Sequence, residues 1–152
     1  MTPATLRASD RPILSAIERL LVAGVGVTAR ALNETSQAAE LTLAQWRVLA
    51  IAAGTDGVRI GELARRLGVG VPSASRLVRR LERHGLATAE RDELDRRATI
   101  VRASSAGRVV REAVMRRRRE LIESALDGAL ADSTAETVPV LERIADAVST
   151  FA

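Results

Sequence analysis

The run from Val58 to Val101 constrains this chain more than any other stretch, because it interleaves two helical patterns with strand patterns over a short span. Ile60, Leu63, Ala64 and Leu67 fall at i, i+3, i+4 and i+7, one apolar face of a helix. Gly68 and Gly70 bracket Val69 as a helix stop and tight turn. The segment from Pro72 to Arg83 repeats the period with Ala74, Leu77, Val78 and Leu81. At about 100° per residue, its opposite face centres on Pro72, Arg76, Arg79 and Arg83, flanked by Ser73, Ser75 and Arg80. Two short helices joined by a tight turn, the second wearing arginines outward, form the helix-turn-helix layout suited to the DNA major groove.

Arginines on one helix face are ordinarily a solvated surface. Here they lie opposite an apolar stripe, behind a turn and before a basic hairpin, and that context favours DNA contact. Gly85 breaks the chain, Leu86 to Arg91 reads as a strand, and Ala98 to Ala103 as its partner, with a charged tip from Asp92 to Arg97 between them. Arg96 and Arg97 at that tip are expected to meet the minor groove or the phosphates. Ser73 and Ser75 can reach base edges or phosphate, or can reflect the propensity of serine for helix starts. His84 falls at the end of the second helix, where it suits the C-terminal dipole.

Charge sharpens this reading. The net charge is only +4, but from Val58 to Arg119 there are 17 Arg against 7 acids, a balance of +10, and the remainder has 6 Arg against 12 acids, a balance of −6. A basic middle between acidic ends suggests a polyanion-binding module carried by helices with another task. Every cation is arginine, which suits bidentate phosphate and guanine contacts; genome composition bias explains the lack of lysine equally well. Four consecutive arginines at 116–119 cover most of a helix circumference, so some are expected to pair with Glu112, Glu120 or Glu123.

The rest of the chain is helical in pattern. Residues Met1 to Ser9 are expected to fray. A helix from Asp10, with Pro12 in its first turn, runs to about Asn33, and Gly24 and Gly26 suggest a bend or close packing. A polar linker, Asn33 to Glu40, leads to a capping box in which Thr42 and Gln45 open a helix carrying Trp46, Val48, Leu49 and Ala52. Trp46 is expected in the core. After the hairpin, Ser104 caps a long helix to about Leu130, some 39 Å at ~1.5 Å per residue. A last helix, about Thr134 to Phe151, carries Val138, Leu141, Ala145 and Val148 on one face. A small winged module offers too little surface to bury all the outer stripes, so a second copy is the simplest cover.

Several classes are excluded or disfavoured. With one Trp, one Phe and no Tyr, the chain lacks the aromatic platforms of single-strand and RNA binders. No cysteine and a single histidine leave no cysteine-ligated or multi-histidine metal site and no thiol redox sensor. No cofactor is expected. Ser104 and Ser105 lack a nucleophile-elbow context and there is no Gly-rich phosphate loop, so an enzyme is not expected. No apolar run is read as approaching the ~18 residues of a membrane span and no signal peptide is read, so the expectation is a cytoplasmic protein without a membrane partner.

The runs LTLAQWRVLA, IGELARRLGV, SASRLVRRLERHGL and DELDRRATIV, ending in SSAG, resemble the multiple-antibiotic-resistance regulator (MarR) family over roughly Leu41 to Gly107. Asp95-Arg96-Arg97 resembles the family's Asp-x-Arg wing pattern. The resemblance implies that Arg97 enters the minor groove and that Asp95 orients it. It also implies a winged-helix dimer that binds a palindromic operator, usually as a repressor, and that often releases DNA on binding a small lipophilic or phenolic ligand. The chain departs from the pattern at Ala103-Ser104, where the family usually has Leu-Thr, and at Gly70 and Val71, where it usually has Ser or Thr. Loss of a side-chain cap at the latter site costs about 1 kcal/mol and removes a phosphate contact, so the operator is expected to differ from those of better-matched members.

The expected fold is mainly α with a small β-hairpin wing: a winged helix-turn-helix, about 41–103, flanked by helical dimerisation parts at about 10–36 and 104–152, all in one domain. The expected DNA-contacting set is Pro72, Ser73, Ser75, Arg76, Arg79, Arg80, Arg83, Asp95, Arg96 and Arg97, with no ligand-pocket residue assigned. The expected partners are double-stranded DNA, a second copy of the chain and a small-molecule effector. The alternative is a winged-helix protein-interaction module, or an architectural DNA binder without ligand control. Strongly salt-dependent duplex binding separates DNA from protein docking, because phosphate neutralisation releases counterions.

Overall fold

The computed structural model describes residues 7, 10–92, 95–127 and 137–149. The expected fraying at the N-terminus, the edges of the last helix and Glu93-Leu94 of the hairpin tip lie outside the described residues. The order of elements is α1 (Arg11–Glu34), a 3-10 turn (Ser36–Ala38), α2 (Leu43–Ala53), β1 (Val58–Arg59), α3 (Ile60–Leu67), α4 (Val71–Arg83), β2 (Ala87–Arg91), β3 (Thr99–Ala103), α5 (Ser105–Leu126) and α6 (Thr137–Ser149).

The capping box forms as the residue types dictate. The Thr42 amide donates to Gln45 Oε1 at 2.8 Å, and the Gln45 amide donates to Thr42 Oγ1 at 3.3 Å. The helix it opens buries Trp46, Val48, Leu49 and Ala52, and Trp46 is in the core as its spacing implied. Leu63 of α3, Val78 and Leu81 of α4, Val101 of β3 and Val114 of α5 complete the centre of that core. Full burial of each large aliphatic side chain contributes about 1.5–3 kcal/mol, so a mainly aliphatic core suffices with Trp46 as its one aromatic among the described residues.

The two strands read from the hairpin form within a residue of their expected limits, and β1 joins them as a third, in the order β1-β3-β2. Val58 and Ala89 pair with Val101 from opposite sides, and Ala87 pairs with Ala103. Val58, Ala87, Val101 and Ala103 are buried, while Thr88, Glu90 and Arg102 on alternate positions are exposed. This is the period-two division of a sheet with one dry face.

Ser104 caps α5, accepting from the Gly107 amide at 3.0 Å, and its hydroxyl donates to the Gly85 carbonyl at 2.6 Å. The same helix start passes so close to the end of the helix-turn-helix that a Cβ on Gly107 would collide with the Leu86 carbonyl oxygen. The long outer helix is therefore docked directly on the α4–β2 junction.

Four expectations for the outer helices need correction. Helix α5 ends at Leu126, with Asp127 leaving the helix at φ −56° and ψ 117°, rather than near Leu130. Asn33 and Glu34 belong to α1, and the supposed polar linker contains the 3-10 turn, with Ala38 fully buried. Helix α1 runs through Gly24 and Gly26 without a break, and a Cβ at either would meet nothing within 4 Å among the described residues, so these glycines serve no close packing within the chain. Finally, α1 does contain an 18-residue window of mean hydropathy 1.5, long and apolar enough to cross a membrane by length and composition. Its leucines, isoleucines, valines and alanines sustain that average although Glu18, Arg19 and the interspersed glycines and threonine break the visible run. Its buried residues among those described, Thr28, Ala31 and Leu32, lie in its last turns, beside α5. On α6 no described residue is buried, and Val138 and Leu141 of its apolar face are 55% and 50% exposed.

Candidate nucleic-acid interface

Helix α4 begins abruptly. Gly68 adopts a left-handed φ of 68°, and the Val69 amide closes on the Ala64 carbonyl at 3.0 Å, a six-to-one hydrogen bond that stops α3 and turns the chain. Gly70 is the N-cap, with no side-chain cap, and the Ser73 and Ala74 amides fold back onto its carbonyl at 3.0 and 3.1 Å. The missing side-chain cap read from Gly70 and Val71 is thus a feature of the fold. Pro72 sits in the first turn, where its fixed φ suits a helix start.

The helix buries Ala74, Val78 and Leu81 and exposes Pro72, Arg76, Arg79, Arg80 and Arg83. Arg76, Arg79, Arg80, Glu82 and Arg83 line one open groove of about 620 Å³. Arg76 Nη2 donates to Ser73 Oγ at 2.9 Å, so these two residues act as a pair. Ser75 is half-buried and lies instead in a crevice of about 240 Å³ between α4 and the sheet, with Arg79, Glu82, Ala89 and Thr99. The two serines therefore face different sides of the helix. His84 is exposed and follows the last turn of α4, the helix-end position read for it.

The wing carries its own wiring. The Asp92 amide donates to the Ala98 carbonyl at 3.0 Å and the Ala98 amide to the Asp95 carbonyl at 2.8 Å. Asp95 Oδ1 accepts from the Arg97 backbone amide at 3.1 Å. The orientation of Arg97 by Asp95 implied by the resemblance thus runs here through the backbone turn rather than through a guanidinium contact. Arg96 and Arg97 are exposed, and Arg91 Nη1 steadies the tip by donating to the Arg96 carbonyl at 2.9 Å. At the base, Arg59 of β1 pairs with Asp92 at 3.1 Å.

Not every arginine in the basic middle is available. Glu62 accepts from Arg65 through two hydrogen bonds of 2.8 and 2.7 Å and from Arg66 at 2.7 Å. Those hydrogen bonds, from Arg65 first and then Arg66, hold its carboxyl at about 2. Of the run at 116–119, Arg117 pairs with Glu120 at 2.8 Å, as read, and also with Glu34 of α1; that second partner, distant in sequence, was not read. Hydrogen bonds from Arg30 and then Arg117 hold the Glu34 carboxyl below the ordinary glutamate range. Arg118 Nε is buried without a hydrogen-bond partner among the described residues. The sequence reading also passed over Arg91 and Glu82. The i, i+4, i+7 alignment of Ser75, Arg79 and Glu82 was the available signal for Glu82.

Residues 39–98 match the MarR family model. Over 94% of this chain and 95% of its own, the Mycobacterium tuberculosis protein RV1404 shares the fold with a TM-score of 0.76 and 24% sequence identity. Over residues 39–98 the chain matches the MarR family. Members of this family are DNA-binding transcriptional regulators built on a winged helix. Two further members of the same fold are Streptococcus pneumoniae FabT, solved in complex with DNA, and the Streptomyces coelicolor transcriptional regulator PcaV, solved with its natural ligand. FabT covers 93% of this chain and 95% of its own at 16% identity and a TM-score of 0.73. PcaV covers 95% and 99% at 25% identity and a TM-score of 0.61. No protein of curated function matches the sequence.

Proposed function

We propose that this chain is a dimeric transcriptional repressor that reads a palindromic operator with α4 and the wing. The observation that carries the reading is the line of exposed arginines on α4, Arg76, Arg79, Arg80 and Arg83, around one open groove. Pro72, Ser73 and Ser75 stand at the start of that helix, and Arg96 and Arg97, with Asp95 shaping their turn, extend the contact from the wing tip. A DNA complex of FabT, which shares the fold, supports this mode of use.

The division of labour within one domain follows the same logic: residues of about 41–103 bind DNA, and about 10–36 and 104–152 pair the two copies. Leu20 and Val22 of α1 are 64% and 75% exposed, and Ile17, Leu20 and Leu21 face Leu141, Ile144 and Val148 of α6 across an apolar crevice of about 350 Å³. Such a surface favours burial against a second copy. Two recognition helices about 34 Å apart meet successive major grooves of a palindrome. Release by a small lipophilic or phenolic ligand is the mode of control we infer, supported by the ligand complex of PcaV. The protein acts in the cytoplasm, on double-stranded DNA, and needs no cofactor.

The test is fluorescence anisotropy on the intergenic DNA beside its own gene, with random duplex as competitor, at two salt concentrations. Tight, competitor-resistant binding by two protomers is expected. Salt-sensitive binding without sequence preference would make the protein architectural, and no binding at low salt would overturn the DNA reading.

A further inference from the structure

An acid on a DNA-facing helix weakens phosphate binding, yet Glu82 sits among Arg79, Arg80 and Arg83 around the groove. It forms no ion pair with them among the described residues. Its Oε1 instead accepts from the Ala89 backbone amide of β2 at 2.9 Å. Strand β2 is an edge strand, bonded only to β3, and every second amide of an edge strand points away from its neighbour and needs another acceptor. Glu82 is half-buried and reaches that amide across the crevice it shares with Ser75, Arg79, Ala89 and Thr99. The bond joins the last turn of α4 to the wing.

From this the geometry points to Glu82 as a positioning residue: its bond to Ala89 fixes the wing relative to α4, so that Arg97 and the α4 arginines engage one duplex together. The inference rests on the DNA-binding reading above. Without that acceptor the outer edge of β2 loses its tie to α4 and only the ladder to β3 aligns the hairpin, so Arg97 at its far end is displaced most. Glutamine retains the acceptor oxygen and removes the charge, so it preserves the tie while easing repulsion from phosphate.

The experiment is a double-mutant cycle on the full-length protein, with duplex affinity measured on the intergenic DNA beside its own gene, well below the unfolding temperature of every variant. Glu82→Ala should weaken binding about tenfold, the scale of one charged hydrogen bond, and Glu82→Gln should bind as tightly as wild type or tighter. Arg97→Ala should cost a markedly smaller factor in the Glu82→Ala background than in wild type, which a uniformly destabilised fold would not produce. Equal factors in both backgrounds, or equal losses for the alanine and glutamine variants, would overturn the positioning role while leaving the DNA reading intact. Failure of wild type to bind duplex DNA would instead remove the DNA reading and this role with it.

Discussion

Two glycine-to-alanine substitutions, chemically identical and both early in a helix, should move stability in opposite directions. At Gly107 the added methyl would collide with the Leu86 carbonyl oxygen and lie 3.0 Å from Leu49 Cδ1. Overpacking of this kind costs about 1–3 kcal/mol. Displacing the Leu86 carbonyl also strains the hydrogen bond it accepts from the Ser104 amide at 3.0 Å, worth about 0.5–1.5 kcal/mol. The helix preference of alanine returns at most about 1 kcal/mol, which leaves a net loss of about 1–4 kcal/mol. At Gly61, in the first turn of α3, a methyl group meets nothing within 4 Å among the described residues, so the gain of about 0.4–1 kcal/mol from a stiffer unfolded chain stands unopposed. For a chain of this size each kcal/mol shifts Tm by about 2–4 °C. Thermal unfolding followed by far-UV circular dichroism, at one fixed protein concentration because association alters apparent stability, should show Gly107→Ala lower by several degrees and Gly61→Ala higher by about 1–4 °C. A Gly107→Ala protein within about 1 °C of wild type would refute the docking of α5 on the α4–β2 junction as the origin of that constraint.

Arg97→Ala should weaken binding to all duplexes and lower the salt slope by about one unit; an unchanged slope in anisotropy titrations would remove Arg97 from the contact set. Arg76→Ala should relax preference at one base position per half-site, costing about 1–3 kcal/mol for a bidentate base contact, whereas equal losses on specific and random DNA would make it a phosphate contact. The Glu62 carboxyl lies at about 2 in the folded chain against an ordinary 4.5. A depressed acid of this kind adds stability that is complete above 4.5 and is lost as pH falls towards about 2. Urea midpoints should therefore fall more steeply with acidification in wild type than in Glu62→Gln across that window, and parallel curves would argue against the Arg65–Glu62–Arg66 cluster as a contributor.

How much was legible in the sequence follows from the range of the interactions involved. The capping box at Thr42, the cap at Ser104, the left-handed stop at Gly68 and the uncapped start at Gly70 are set within a few residues, and each formed where the residue types placed it. The outward arginines of α4 were equally legible, because helical periodicity alone puts Arg76, Arg79 and Arg83 opposite Ala74, Val78 and Leu81. Those local rules, joined to the motif order from Leu41 to Gly107, were enough to reach the resemblance that the match over residues 39–98 bears out, and its winged helix. Elsewhere the answer lay between residues distant in sequence. The pairing of Val58 with Val101, the bridge from Glu34 to Arg117 and the tie from Glu82 to Ala89 depend on which elements meet, and no local period encodes that. Tertiary packing also decided how the acids are used: it placed Glu82 against a strand edge and Glu34 beside Arg117. Electrostatic partners are chosen by distance in space, and only the fold sets that distance.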